Sequence, residues 1–229
     1  METRLEVDQK NNLVEIPSQG KTYPLPIRII AKVVSYIFHP LFIPVYLSWL
    51  IVETQSYLFA SFSSWEKTIF ILRFGVIYIM FPLISVLLMK GLGFIKSIQL
   101  KTQRDRIIPY VVCMIYYWWM WYVLHNQPEF PKECVVLSLA IFLASIGGLM
   151  ANINMKVSMH AMAAGVMAAF VMLLGFLQDI EFGIYISISI LLTGIICTAR
   201  LIDGQHTTKE IYWGLFIGIV SLLIAVKFT

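Results

Sequence analysis

Charge is what this chain has least of. Only 13% of its 229 residues are Asp, Glu, Lys or Arg, about half the ~25% typical of a soluble domain. With a mean hydropathy of +0.80 and 59% hydrophobic residues, a soluble globular protein is excluded. Cysteine is also scarce. Cys113, Cys134 and Cys197 show no Cys-x-x-Cys spacing, which removes the common zinc and dithiol patterns and leaves three free thiols in apolar surroundings. There is no low-complexity tract, no internal repeat and no second soluble domain. The opening stretch, residues 1–26, is polar and mixed in charge and lacks the apolar core of a secretory signal; it is expected to be a loosely ordered tail. Acidic residues do not cluster around the polar blocks, so no metal and no cofactor is expected, and no nucleic-acid partner.

Long apolar runs are what the chain has instead. About seven have the length of a membrane span: Ile27–Val52, Ile69–Met89, Ile107–Leu124, Val135–Met150, Met159–Leu177, Ile184–Thr198 and Ile211–Val226. Three of these are short, so six or eight spans would also fit. The first contains Pro40 and Pro44 and is expected to be kinked or broken. The expected fold is an all-α polytopic transmembrane helical bundle over residues 27–229. The lipid bilayer is its surroundings.

Alternating the spans places the tail, the loop before Ile107, the stretch around Lys156 and the stretch Arg200–Glu210 on one face. That face collects Arg4, Lys10, Lys21, Arg28, Lys90, Lys96, Lys101, Arg104, Arg106, Lys156, Arg200 and Lys209, against Lys67, Lys132 and Lys227 on the other. The positive-inside rule makes it cytoplasmic. Half of the twelve belong to polar blocks of possible functional meaning, and without them the ratio is six to three.

Three such blocks stand out. Arg200, His206 and Glu210 form a phosphate-handling set: a guanidinium that forks onto phosphoryl oxygens, an imidazole that can attack phosphorus, and a carboxylate one turn on that can hold the imidazole. Lys156, Ser158 and His160 form the second block; Lys101, Arg104, Arg106 and Pro109 form the first. Each has a plainer reading. His206 could be a solvated loop histidine. Thr207 and Glu210 spell a capping box, and Ser158 could cap the fifth span. The basic residues of the first block could be flanking charges. His39 beside Pro40 reads as a polar group tied to the kink, and Asp203-Gly204 as a turn.

Taken together, the blocks resemble the signature of the type 2 phosphatidic acid phosphatase superfamily, Lys-x6-Arg-Pro, Pro-Ser-Gly-His and Ser-Arg-x5-His-x3-Asp. Arg200, His206, Ser158, His160, Lys101 and Pro109 match. Ile108, Val157, Met159, Ala199 and Glu210 depart from it. The resemblance implies a metal-independent hydrolase in which His206 attacks phosphorus, His160 protonates the leaving oxygen, Glu210 supports His206, and Arg200, Lys101, Arg104 or Arg106, Ser158 and Lys156 hold the phosphate. The implied substrate is a membrane lipid phosphate monoester or a polyprenyl diphosphate, and the implied location a bacterial cytoplasmic membrane. Two other readings remain: a non-catalytic relative that binds or carries phospholipids, and an unrelated transporter, which predicts no meeting of the two histidines.

Two further patterns bear on the fold. Ala161, Gly165 and Ala169, and Gly214 and Gly218, recur every four residues, which lets two helices approach closely. The run Tyr116, Tyr117, Trp118, Trp119, Trp121 and Tyr122 reads as an interfacial aromatic belt.

Overall fold

In a computed structural model of the chain, residues 3–7, 13–17, 23–95, 103–176 and 182–229 are described. Two short strands, β1 (Thr3–Val7) and β2 (Leu13–Pro17), pair antiparallel in the tail, with Leu5 opposite Glu15. The remainder is helical. α1 (Leu25–Ile37) and α2 (Ile43–Thr54) come first, then α3 (Ser64–Gly75) and α4 (Phe81–Gly91), joined through a π-helical turn at Val76–Met80 into one helix. α5 (Gln103–His125), α6 (Lys132–Ala151), α7 (Met159–Phe176), α8 (Gly183–Ile202) and α9 (Thr208–Phe228) follow. Six of these helices, Ser64–Gly91 and α5 to α9, are long and apolar enough to cross a membrane. The chain is an all-α polytopic bundle.

Local chemistry sets the helix ends. Ser63 and Glu66 form a reciprocal capping box at the start of α3, and Thr207 and Glu210 do the same for α9. Gly204, at φ +68°, takes the left-handed turn that ends α8 and releases the chain toward α9. Pro82 has no N–H to give to Tyr78, and the helix widens to a π turn just before it, with the Phe81 N–H reaching Val76 O. The spans that looked short in the sequence gain their missing turns from polar flanks. Gln103–Arg106 belong to α5, and Ala199–Ile202 to α8.

The first apolar run departs from a single crossing. It breaks at residues 38–42 into α1 and α2, of 13 and 12 residues. At 1.5 Å per residue these are about 20 and 18 Å long, short of the ~30 Å hydrocarbon layer. Pro44 stands in the first turn of α2, and the Leu41 N–H turns onto the His39 ring at 3.4 Å instead of continuing a helix. The two helices part company: α1 packs on α8, and α2 on α3, α6 and α7.

α7 lies at the centre, packed on α6, α8 and α9. Its contact with α9 is a seam of small residues. A Cβ on Gly214 would come within 2.7 Å of Ser158 O and 3.1 Å of Ala161 Cβ; one on Gly165 would stand 2.5 Å from Leu215 O; one on Gly218 would run into Met162 O. The absent side chains allow backbone to meet backbone. The outer surfaces carry large apolar side chains, including Leu191, Leu223, Phe216 and Leu88, as a lipid-facing wall requires. At the end away from the polar blocks, Phe59, Phe62, Phe70 and Phe130 pack together, joining the α2–α3 and α5–α6 connections. The aromatic run of α5 divides by face. Tyr117 packs against Tyr78 in the core with the rings tilted by 34°, Tyr116 meets Ser85 at 2.8 Å, and Trp118, Trp119 and Tyr122 are exposed. Cys113, Cys134 and Cys197 are free thiols.

Candidate active site

Three consecutive residues, Lys156, Val157 and Ser158, tie the polar blocks together in the connection between α6 and α7. Lys156 O lies 3.1 Å from His206 Nδ1, Val157 O accepts from Arg106 Nη1 at 3.0 Å, and the Ser158 N–H donates to Glu210 O at 3.3 Å. One irregular piece of backbone thus holds α5, the α8–α9 loop and α9 together. Lys156 Nζ adds a hydrogen bond to Gln205 O at 3.4 Å. Arg106 of the first sequence block thus meets the second and third blocks at one end of the bundle.

His206 is buried just ahead of α9. Its Nδ1 faces two acceptors, Lys156 O and Glu210 Oε2, each at 3.1 Å. Nδ1 therefore carries the proton, and in the neutral ring Nε2 holds the lone pair. Burial holds the imidazole below its ordinary pKa. The Glu210 carboxylate pulls it back up, and the nearby cations Arg200 and Arg106 add to the depression.

Glu210 does two jobs with one atom. Oε2 accepts from His206 Nδ1 and from the Thr207 N–H at 2.9 Å, while the Glu210 N–H donates to Thr207 Oγ1 at 3.3 Å. The capping box and the histidine pairing coexist, because the helix start that needs the cap also carries the histidine. Ser158, fully buried, takes its capping position: Oγ accepts the Ala161 N–H at 3.4 Å at the start of α7, and its hydroxyl proton can still be donated.

Arg200, near the end of α8, is buried. Its Nη1 donates to Ser35 Oγ at 3.2 Å and to Asp203 Oδ2 at 3.3 Å, while Nε has no hydrogen-bond partner among the described residues. A buried donor left open costs about 1–3 kcal/mol, and an anion's oxygen would recover it. Asp203, expected as a plain turn residue, holds one edge of that guanidinium. Of the two candidate arginines in the first block, Arg106 is buried against Val157 O. Arg104 lies in the first turn of α5, with its side chain outside the described residues, and Lys101 lies outside them altogether.

His160 is in the first turn of α7. Its Nε2 donates to Ser35 O at 3.0 Å, and its ring meets His39 edge to face at 5.3 Å between centroids. Ser35 therefore touches both His160 and Arg200. Sequence reasoning assigned His39 to the kink and did not select Ser35. The signal that could have found them is the proline pair itself, since a broken helix brings polar backbone and side chains to a buried place only where something there uses them. Among the described residues, no three His, Cys, Asp or Glu side chains converge as a metal-ligating group. Comparison with protein-family models, with characterised proteins and with solved structures finds no match.

Proposed function

We propose that the protein is an integral-membrane lipid phosphatase working through a phosphohistidine, without a metal ion. The observation that carries this reading is that His206–Glu210 and Arg106 are bonded to the 156–158 backbone, two residues ahead of His160, while His160 and Arg200 share Ser35. The neutral His206 ring presents Nε2 to phosphorus. As the N–P bond forms and the P–O bond to the leaving group breaks, the leaving oxygen takes a proton from His160, and Glu210 steadies the positive imidazole. Water then gives a proton back to His160 as its oxygen attacks phosphorus, the N–P bond breaks, inorganic phosphate leaves and His206 returns to its neutral form. Phosphoryl transfer depends mainly on positioning and on stabilising charge at the equatorial oxygens. Arg200 and Arg106 supply that charge, with Lys101 and Arg104 added on sequence grounds.

The substrate class is a lipid phosphate monoester or diphosphate, such as phosphatidic acid, phosphatidylglycerol phosphate or a polyprenyl diphosphate. The site faces the cytoplasm in this reading, because the cations of the site blocks gather at that end. The test is phosphate release from a panel of lipid phosphates by purified protein. His206→Ala should abolish release, vanadate should inhibit it, and chelators should leave it intact. Wild-type protein quenched in denaturant at alkaline pH should carry phosphate on His206. Full turnover by His206→Ala refutes the mechanism. Vanadate binding without turnover of any lipid phosphate points to a non-catalytic phospholipid-binding relative.

A further inference from the structure

The break between α1 and α2 delivers two groups to one imidazole. Ser35, in the last turns of α1, accepts the His160 Nε2–H through its carbonyl oxygen at 3.0 Å, across 125 residues of sequence. His39, within the break, lays its ring at 83° to that of His160, with centroids 5.3 Å apart. His39 is itself fixed. Its Nδ1 accepts the Leu41 N–H at 3.4 Å, and Phe42 meets its ring at 6.1 Å and 63°.

We propose that the segment Ser35–His39 is the clamp that positions His160, with the His39 ring setting the plane of the His160 ring. The proposal rests on reading His160 as the acid of the phosphatase site. A carbonyl holding one imidazole N–H fixes which nitrogen does the work. With Nε2–H given to Ser35 O, Nδ1 takes up a proton from water and delivers it to the leaving oxygen. Among the described residues Nδ1 makes no hydrogen bond. A single hydrogen bond leaves the ring free to swivel about it. An aromatic edge against the ring removes that freedom, and edge-to-face geometry is the favoured arrangement for such a pair. The Ser35 hydroxyl also accepts from Arg200 at 3.2 Å, so the clamp sets the acid relative to the phosphate-binding guanidinium. His39 acts through His160 and is a positioning residue.

The consequence is a dependence on the leaving group. An alkyl leaving oxygen needs a well-aimed acid; a 4-nitrophenolate does not. Purified wild type, His39→Ala, His39→Gln, His39→Phe, His160→Ala and His39→Ala/His160→Ala would be assayed on phosphatidic acid in mixed micelles and on 4-nitrophenyl phosphate. His39→Ala and His39→Gln should lose about 100-fold in kcat on phosphatidic acid, the scale of a misplaced acid, and less than about fivefold on the aryl ester. His39→Phe, which keeps the ring and loses both nitrogens, should recover most of the alkyl activity. The double variant should fall no further than His160→Ala, within about threefold, since the two residues act as one unit. Equal losses on both esters, additive losses in the double variant, or a Phe variant as poor as Gln would each overturn the clamp while leaving the phosphatase reading in place. If the Ala variant does not fold, the contrast between Phe and Gln decides the same question. Absence of phosphate release by the wild type from either ester overturns both readings together.

Discussion

Replacing Gly165 by Ala tests whether the α7–α9 seam sets the site. In an isolated helix the change is favourable by about 1 kcal/mol, so any loss must come from packing. The new Cβ would lie 2.5 Å from Leu215 O and 3.2 Å from Leu215 C and Cα. All three are backbone atoms and cannot rotate aside. Restoring an ordinary 3.4 Å contact requires the helices to part by about 0.9 Å, the difference between 3.4 and 2.5 Å. Overpacking of this kind costs about 1–3 kcal/mol; with backbone as the obstacle the upper half applies, for a net loss of about 1–2 kcal/mol. The seam lies five residues along α7 from His160 and five along α9 from Glu210, so the same parting reaches the site. A misplacement of about 1 Å can cost a factor of about 100 in rate. Thermal unfolding in detergent and phosphate release on the same preparation give both numbers. Gly194→Ala on α8, where a Cβ meets nothing within 4 Å, is the control and should be silent or mildly stabilising. Unchanged melting and unchanged rate in Gly165→Ala would refute the claim that this seam fixes the distance between the two histidine blocks.

At the site itself, Glu210→Gln should keep the cap, since an amide oxygen also accepts from Thr207, and lose about 100-fold in rate by removing the charge behind His206; a silent variant would confine Glu210 to capping. Because burial depresses the His206 pKa, the neutral ring is the folded-state form. Activity and its share of stability should be complete above the ordinary histidine value and fall as the pH drops through the lowered one, and Glu210→Gln should move that acid limb lower still. For topology, Gln205→Cys in a background without the three native cysteines should be shielded from an impermeant thiol reagent in intact cells and labelled after permeabilisation, and Ser18→Cys, scored beside it, reports the face of the tail. Labelling of Gln205→Cys in intact cells would turn the site outward, and opposite behaviour of the two probes would place the tail on the other face.

The bundle was legible because membrane spans announce themselves by length and composition, and the meeting of the blocks was legible because short connections join spans of fixed direction. The loops carrying Lys156 and His206 fall at the same end by parity alone. What parity cannot show is a contact between distant segments in irregular backbone. The bonds from Arg200 and His160 to Ser35 cross 165 and 125 residues and involve a helix end with no motif. The prolines marked where the first run breaks, not where the break goes. The break also weakens the charge argument. With α1 and α2 no longer one crossing, the tail cations Arg4, Lys10, Lys21 and Arg28 leave the count. Outside the site blocks Lys90 and Lys96 then stand against Lys67, Lys132 and Lys227. The inward assignment therefore rests on the site's own charges. Glu210 shows another limit of reading residues one at a time: the sequence sets capping and support of His206 as rivals, and in the structure a single oxygen bonds both the Thr207 N–H and His206 Nδ1.

The short first segment changes the bilayer as well as the protein. α2 is about 18 Å long against hydrocarbon of ~30 Å, a shortfall of about 12 Å on one flank of the bundle. A membrane meets such a mismatch by thinning locally and drawing headgroups and water inward, at a fraction of a kcal/mol for each Å. Such thinning beside α2 would bring the leaflet toward the level of His39, His160 and Arg200. In the proposed reaction a lipid phosphate would reach the arginine by lateral diffusion down this dip with its chains still in the leaflet, and the dephosphorylated lipid would drift away in the same plane.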